Sequence, residues 1–160
     1  MTVTCVERDD DDLTITLIAD FDAPVDQVWE LWSDPRKLER WLGPPSHPAS
    51  VEKHDLSPGG EITFFMTGPE GARSWGTWRV TAVDPPAALE FTDAFAGADG
   101  TPMADMPVSE VRLRLAEHGG GTRMEMRCGF GSREEMERWV SMGTVEGLQQ
   151  AVGQMDALLG

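Results

Sequence analysis

The sequence has no tyrosine and no asparagine, only two cysteines, and two lysines beside eleven arginines. Cys5 and Cys128 are too few and too far apart for a disulfide framework. The acidic N-terminus lacks the basic and apolar regions of a secretory signal, so a reducing, cytoplasmic setting is expected. No stretch approaches the roughly 20 apolar residues of a membrane span. Positive charge is also scarce: 13 Lys and Arg face 28 Asp and Glu, a net charge of −15. Phosphate backbones and anionic bilayers need clustered cations, so neither nucleic acid nor a membrane is expected as a partner. The acid excess reads as solubility.

Several chemistries lack their motifs as well. There is no G-x-S-x-G elbow, no H-x-x-E-H or C-x-x-C spacing, and no glycine-rich phosphate loop at a strand-to-helix junction. The acidic stretches Asp9–Asp12 and Asp99-Gly100 do not alternate like a calcium loop. No catalytic residue, metal or cofactor is therefore assigned, and the enzyme question is left open, with binding preferred over catalysis. His47, in GPPSHPAS, and Asp93 are the only acid–base candidates.

What the chain does have is aromatic and apolar patterning. Its 160 residues are 40% apolar, with six Trp and six Phe. One domain over residues 1–160 is expected, with 1–12 as an acidic N-terminal extension. LTITLIADF alternates, placing Leu13, Ile15, Leu17, Ala19 and Phe21 on one side of a strand. Next comes FDAPVDQVWELWSDPRKLERWLGP, with three of the tryptophans and three prolines. Val25, Val28, Trp29 and Trp32 share one helical face after Pro24. Asp34-Pro35 caps and restarts a second short helix carrying Leu38, Trp41 and Leu42, which Gly43-Pro44 ends. The prolines thus divide this stretch into two capped helices with an aromatic inner side.

From Ala49 to Phe130 the pattern is strands. Ile62, Phe64 and Met66 share a face, as do Leu89, Phe91, Asp93 and Phe95 in a later strand. Val111, Leu113 and Leu115 alternate against arginines, and Met124, Met126, Cys128 and Phe130 do the same after the His118–Gly121 turn. Ser132 and Glu135 form a capping box. Apolar spacing of 3 and 4 then predicts a helix to Leu159, about 42 Å long at ~1.5 Å per residue unless Gly143 interrupts it. An antiparallel sheet cannot leave one apolar face bare, so that helix lies across it and the short helices close one end.

The runs APVDQVWELWSDPRKLERWLGP, LSPGGEITFFMTGPEG, WGTWRVTAVDPPAALEFTDAF and VEGLQQAVGQMDALL resemble the SRPBCC superfamily. They are most similar to the branch of activator of Hsp90 ATPase homologue 1-like (C-terminal domain) proteins, over about residues 13–159. The resemblance implies an α+β helix-grip (START/Bet v 1-like) fold, an antiparallel β-sheet wrapped around a long C-terminal α-helix. It implies an internal cavity for a hydrophobic or amphipathic small molecule. Polyketide cyclase/dehydratase-like enzymes and a chaperone-associated interaction module are the alternatives it carries. Trp41-Leu42-Gly43-Pro44 departs from the commoner WWGP by putting an aliphatic residue at the mouth. Trp32, Trp41, Phe64, Met66, Trp78, Phe91, Asp93, Phe95, Met126, Phe130, Trp139 and Gly143 are the expected ligand-binding residues, with Trp29 in the core. A hydrophobic small molecule is the expected partner, and homodimer formation is left open.

Overall fold

Alternating apolar residues build one eight-stranded antiparallel sheet in a computed structural model that describes residues 3–159. The strands are β1 (Val3–Asp9), β2 (Thr14–Phe21), β3 (Ala49–His54), β4 (Glu61–Thr67), β5 (Arg73–Asp84), β6 (Ala88–Ala96), β7 (Val108–His118) and β8 (Gly121–Phe130). Their order across the sheet is β1-β2-β8-β7-β6-β5-β4-β3. β3 to β8 thus form a meander, and β2 joins it beside β8. Ladder shifts at Val51/Lys53 and Val80/Ala82 are irregularities of the kind that bend a sheet. β7 shows the two-sided character most plainly: Ser109, Val111, Leu113 and Leu115 are buried and the residues between them exposed.

Two helices cross from β2 to β3, α1 (Val25–Ser33) and α2 (Pro35–Trp41). The chain breaks between them because Asp34 is extended and its carboxylate accepts the Arg36 N–H at 2.9 Å, with Pro35 in the first helical turn. Val28, Trp29, Leu31 and Trp32 of α1 and Leu38 and Trp41 of α2 are buried. His54 of β3 reaches the Trp32 carbonyl at 3.1 Å, tying the end of α1 to the far sheet edge. After α2, Gly43 passes so close to the 44–48 loop that a Cβ would lie 2.1 Å from the His47 carbonyl oxygen. Only glycine allows that approach.

One expectation needs correction. The acidic N-terminal stretch is more than an extension: Val3–Asp9 pairs with β2 as an edge strand. Its aspartates form the hairpin turn, where Asp9 accepts the Asp11 and Asp12 N–H groups at 2.9 and 3.0 Å. Met1 and Thr2 of that extension, and Gly160, lie outside the described residues.

The C-terminal helix is interrupted at Gly143, the position where the sequence left a break open. It runs as α3 (Arg133–Ser141), α4 (Thr144–Gly153) and α5 (Met155–Leu158). Ser132 caps α3 by accepting the Glu135 N–H at 3.2 Å. Gly143 adopts φ +79°, a left-handed conformation that costs other residues roughly 1–2 kcal/mol and that cannot continue a right-handed helix. α3 and α4 still cover the apolar face through Met136, Trp139, Ala151 and Val152.

Candidate apolar cavity with one buried carboxyl

The concave side of the sheet is lined by large residues, yet they leave a cavity of about 280 Å³ beneath α3 and α4. That is just under the ~300 Å³ at which small-molecule pockets usually begin, so it fits a ring-sized occupant. Proline-divided α1 and α2 bring Trp32 and Trp41 to one end, and Leu42 and Pro44 follow at the mouth. β4 supplies Phe64 and Met66, β5 supplies Trp78, and β6 supplies Phe91, Asp93 and Phe95. Met126 and Cys128 come from β8, and Trp139 closes the roof.

Ten of the twelve expected residues therefore line one cavity, and two do not. Gly143 is the break between α3 and α4, and the helical position facing the space is Gly147. Phe130 ends β8, packs 5.1 Å from the Trp139 ring and borders an open groove elsewhere. Trp29 is buried but absent from the lining. His47 is exposed, bonded to Ser46 at 2.6 Å, and lies outside the cavity.

The rings form a contiguous cluster. Trp78 stacks on Phe91 with centroids 4.2 Å apart and meets Phe64 edge-on at 5.6 Å. Trp32 lies 5.9 Å from Trp78 and 4.7 Å from Trp41. Such pairs add roughly 0.5–1.5 kcal/mol beyond the area they bury. Trp41 is fully buried and its indole N–H donates to the Leu31 carbonyl at 2.8 Å, locking α2 onto α1.

Polar groups gather at one wall. Phe130, Ser109, Asp93 and Trp78 are register partners along one row across β8, β7, β6 and β5. Among the described lining residues Asp93 is the one charged side chain, and Cys128 the one other titratable group. Burial pushes the Asp93 carboxyl up to about 7, against the opposing pull of the Trp78 indole N–H. The Cys128 thiol is pushed up to about 12, by burial first and the Asp93 charge second, so it is no ready nucleophile. Trp32 Nε1, Trp78 Nε1 and Ser109 Oγ are buried without a hydrogen bond of ordinary geometry. Two of them, Trp78 and Ser109, belong to the register partners of Asp93, and buried polar atoms without partners are a cost that a folded domain seldom carries without use.

Sequence reasoning missed Gln154, Pro107 and Met142. Gln154 donates to the Trp41 and Gly43 carbonyls at 3.2 and 2.7 Å, fastening α4 to the loop after α2. Pro107 and Met142 reach the mouth from a loop and from the helix break, where no periodicity marks them. A larger groove of about 560 Å³ is open to solvent and lined by Asp12, Glu110, Arg112, Arg127 and Glu135. Its arginines already pair with Glu90 at 3.3 Å and Asp12 at 3.6 Å. Among the described residues no three His, Cys, Asp or Glu gather to hold a metal ion, and no helix is long and apolar enough to cross a membrane.

A bent antiparallel sheet gripping C-terminal helices over an apolar cavity defines a helix-grip protein. The chain belongs to the family described as activator of Hsp90 ATPase homolog 1-like protein, whose model matches residues 22–160. It is similar to protein Ms6760 from Mycobacterium smegmatis, at 47% identity over 99% of this chain and 97% of that one, with a TM-score of 0.92. A protein from Arthrobacter aurescens is 40% identical, covering 99% of this chain and 92% of that one, with a TM-score of 0.94. The AHSA1 protein from Silicibacter pomeroyi shares the fold at 24% identity, covering 91% and 96% of the two chains, with a TM-score of 0.72. No curated protein matches the chain.

Proposed function

We propose that the protein binds a small hydrophobic or amphipathic molecule in the cavity beneath α3 and α4, as a cytoplasmic carrier or sensor. The observation that carries this reading is the cavity itself, walled by aromatic and sulfur side chains and bearing one carboxyl. Apolar walls with a few fixed polar groups are the usual makeup of a small-molecule site. Dispersion and released water supply the affinity, while the Asp93 wall sets orientation.

The carboxyl poised at about 7 favours a second reading, proton transfer on a bound substrate in the manner of a cyclase or dehydratase. That chemistry needs a second acid or base, and Cys128 at about 12 is the only other titratable group in the described lining. Binding is therefore the preferred function.

Gly147 provides the test. It lies within α4, lines the cavity, and a Cβ added there meets nothing within 4 Å. Replacing it with leucine removes the helix-interior glycine penalty of about 1 kcal/mol while putting a side chain into the space. Gly147→Leu is expected to keep or raise the melting temperature and to abolish quenching of tryptophan fluorescence by butylbenzene. Equal binding by wild type and Gly147→Leu rules the cavity out as the site.

A further inference from the structure

The cavity has an unusual imbalance: many electron-rich ring faces, one carboxyl, and no cationic side chain in its described lining. Asp93 sits in register with Trp78 on one side and Ser109 on the other, and Trp78 in turn stacks on Phe91. Trp32, Trp41, Phe64 and Trp139 complete the walls around this wing. Aromatic faces attract cations through their quadrupole, most strongly where water is excluded. A carboxylate in such a place is costly when alone and is stabilised by a bound opposite charge. An anionic occupant would add a second buried negative charge, and a purely apolar one would leave Asp93 uncompensated. The exterior acts in the same direction, because a net charge of −15 draws cations toward the protein and repels anions.

We propose that the occupant is a small organic cation, an amine on a ring-sized apolar body, whose ammonium pairs with the Asp93 carboxylate inside the aromatic walls. This rests on the cavity being the binding site, as argued above, and names the chemical class it takes. The ammonium donates to the carboxylate, a charge-assisted bond stronger than a neutral one. The apolar body lies against Trp78, Phe91 and Met126. Binding requires the ionised carboxylate, so a proton and the ammonium compete for one place. No other charged group lines the space, and the Cys128 thiol stays neutral across the working range.

The test is a matched series on one skeleton, 4-phenylbutylamine, 4-phenylbutanol, 4-phenylbutyrate and butylbenzene, read by tryptophan fluorescence on the full chain. At pH 8 the amine is expected to bind about tenfold tighter than the alcohol, with the carboxylate weakest. Its affinity falls about tenfold on going to pH 6, where Asp93 takes up its proton while the ammonium, like a lysine, keeps its own. Asp93→Asn brings the amine down to the level of the alcohol, with butylbenzene binding retained as proof that the variant keeps its cavity. An alcohol that matches the amine at pH 8, or amine affinity indifferent to pH, overturns the amine assignment while the cavity reading stands. If butylbenzene and every other member fail to bind, the cavity reading falls and the inference falls with it.

Discussion

Asp93→Asn is expected to stabilise the ligand-free protein at pH 8 by about 2–4 kcal/mol and at pH 4 by no more than about 0.5 kcal/mol. The reason is the displacement of the Asp93 carboxyl from an ordinary value of 3.8 to about 7 by burial. Below 3.8 the group is protonated in both the folded and unfolded chains, so it contributes no pH dependence. Between 3.8 and about 7 the folded chain holds the proton and the unfolded chain releases it. The unfolded state therefore binds fewer protons, and stability falls as pH rises through this window. Above about 7 the cost is fully present and constant. The rise from 3.8 to about 7 corresponds to about 4 kcal/mol, and exposure of the carboxyl to the cavity lowers that figure. Asparagine keeps the size and removes the charge, so it escapes the cost. Because the other carboxylates titrate too, the informative quantity is the difference between wild type and variant in urea unfolding at each pH. A constant difference from pH 4 to pH 8 contradicts the placement of Asp93 in the cavity wall.

Trp41→Ala is expected to cost about 3–5 kcal/mol. Three losses combine there. The ring is fully buried, so truncation leaves a void next to a cavity already present. The edge-on contact with Trp32 at 4.7 Å disappears. The Leu31 carbonyl loses the indole N–H donor 2.8 Å away, which held α2 to α1. Thermal unfolding should move down by roughly 10 °C or more for a domain of this size. A shift as small as that of an exposed side chain would mean that the two short helices close the sheet without this anchor. Trp41→Phe keeps much of the packing and loses the hydrogen bond, so its cost falls between wild type and alanine.

Much of this was legible in the residues. Alternation in 13–21, 61–67 and 110–130 gave the inward faces because one side of the sheet is buried and the other is wet. The caps at Asp34 and Ser132 marked helix starts because their side chains satisfy N–H groups that a helix leaves free. The cavity walls were readable for a related reason: rings in phase on neighbouring strands converge wherever the sheet curves. Other features were hidden. Val3–Asp9 pairs as an edge strand, but the following aspartates looked like a solvated charge run rather than a turn. Gly143 falls on the apolar period of the terminal helix, and periodicity does not reveal which glycine will take a positive φ. Phe130 has the right phase but stands at a strand end, beyond the cavity. Ser109 and Gln154 are short polar signals whose importance arises only from what the fold brings beside them.

The central claim is that one cavity, between the curved sheet and α3–α4, takes a small molecule. The indole N–H resonances of the six tryptophans test it directly, because the residues divide into two groups. Trp32, Trp41, Trp75, Trp78 and Trp139 line the cavity. Trp29, although buried, lies outside the lining. Titration of ¹⁵N-labelled protein with 4-phenylbutylamine at pH 8 should shift the five cavity signals together along one saturable curve, with Trp29 unmoved. Shifts led by Trp29 while Trp32 and Trp78 stay still would place the site elsewhere and contradict the account.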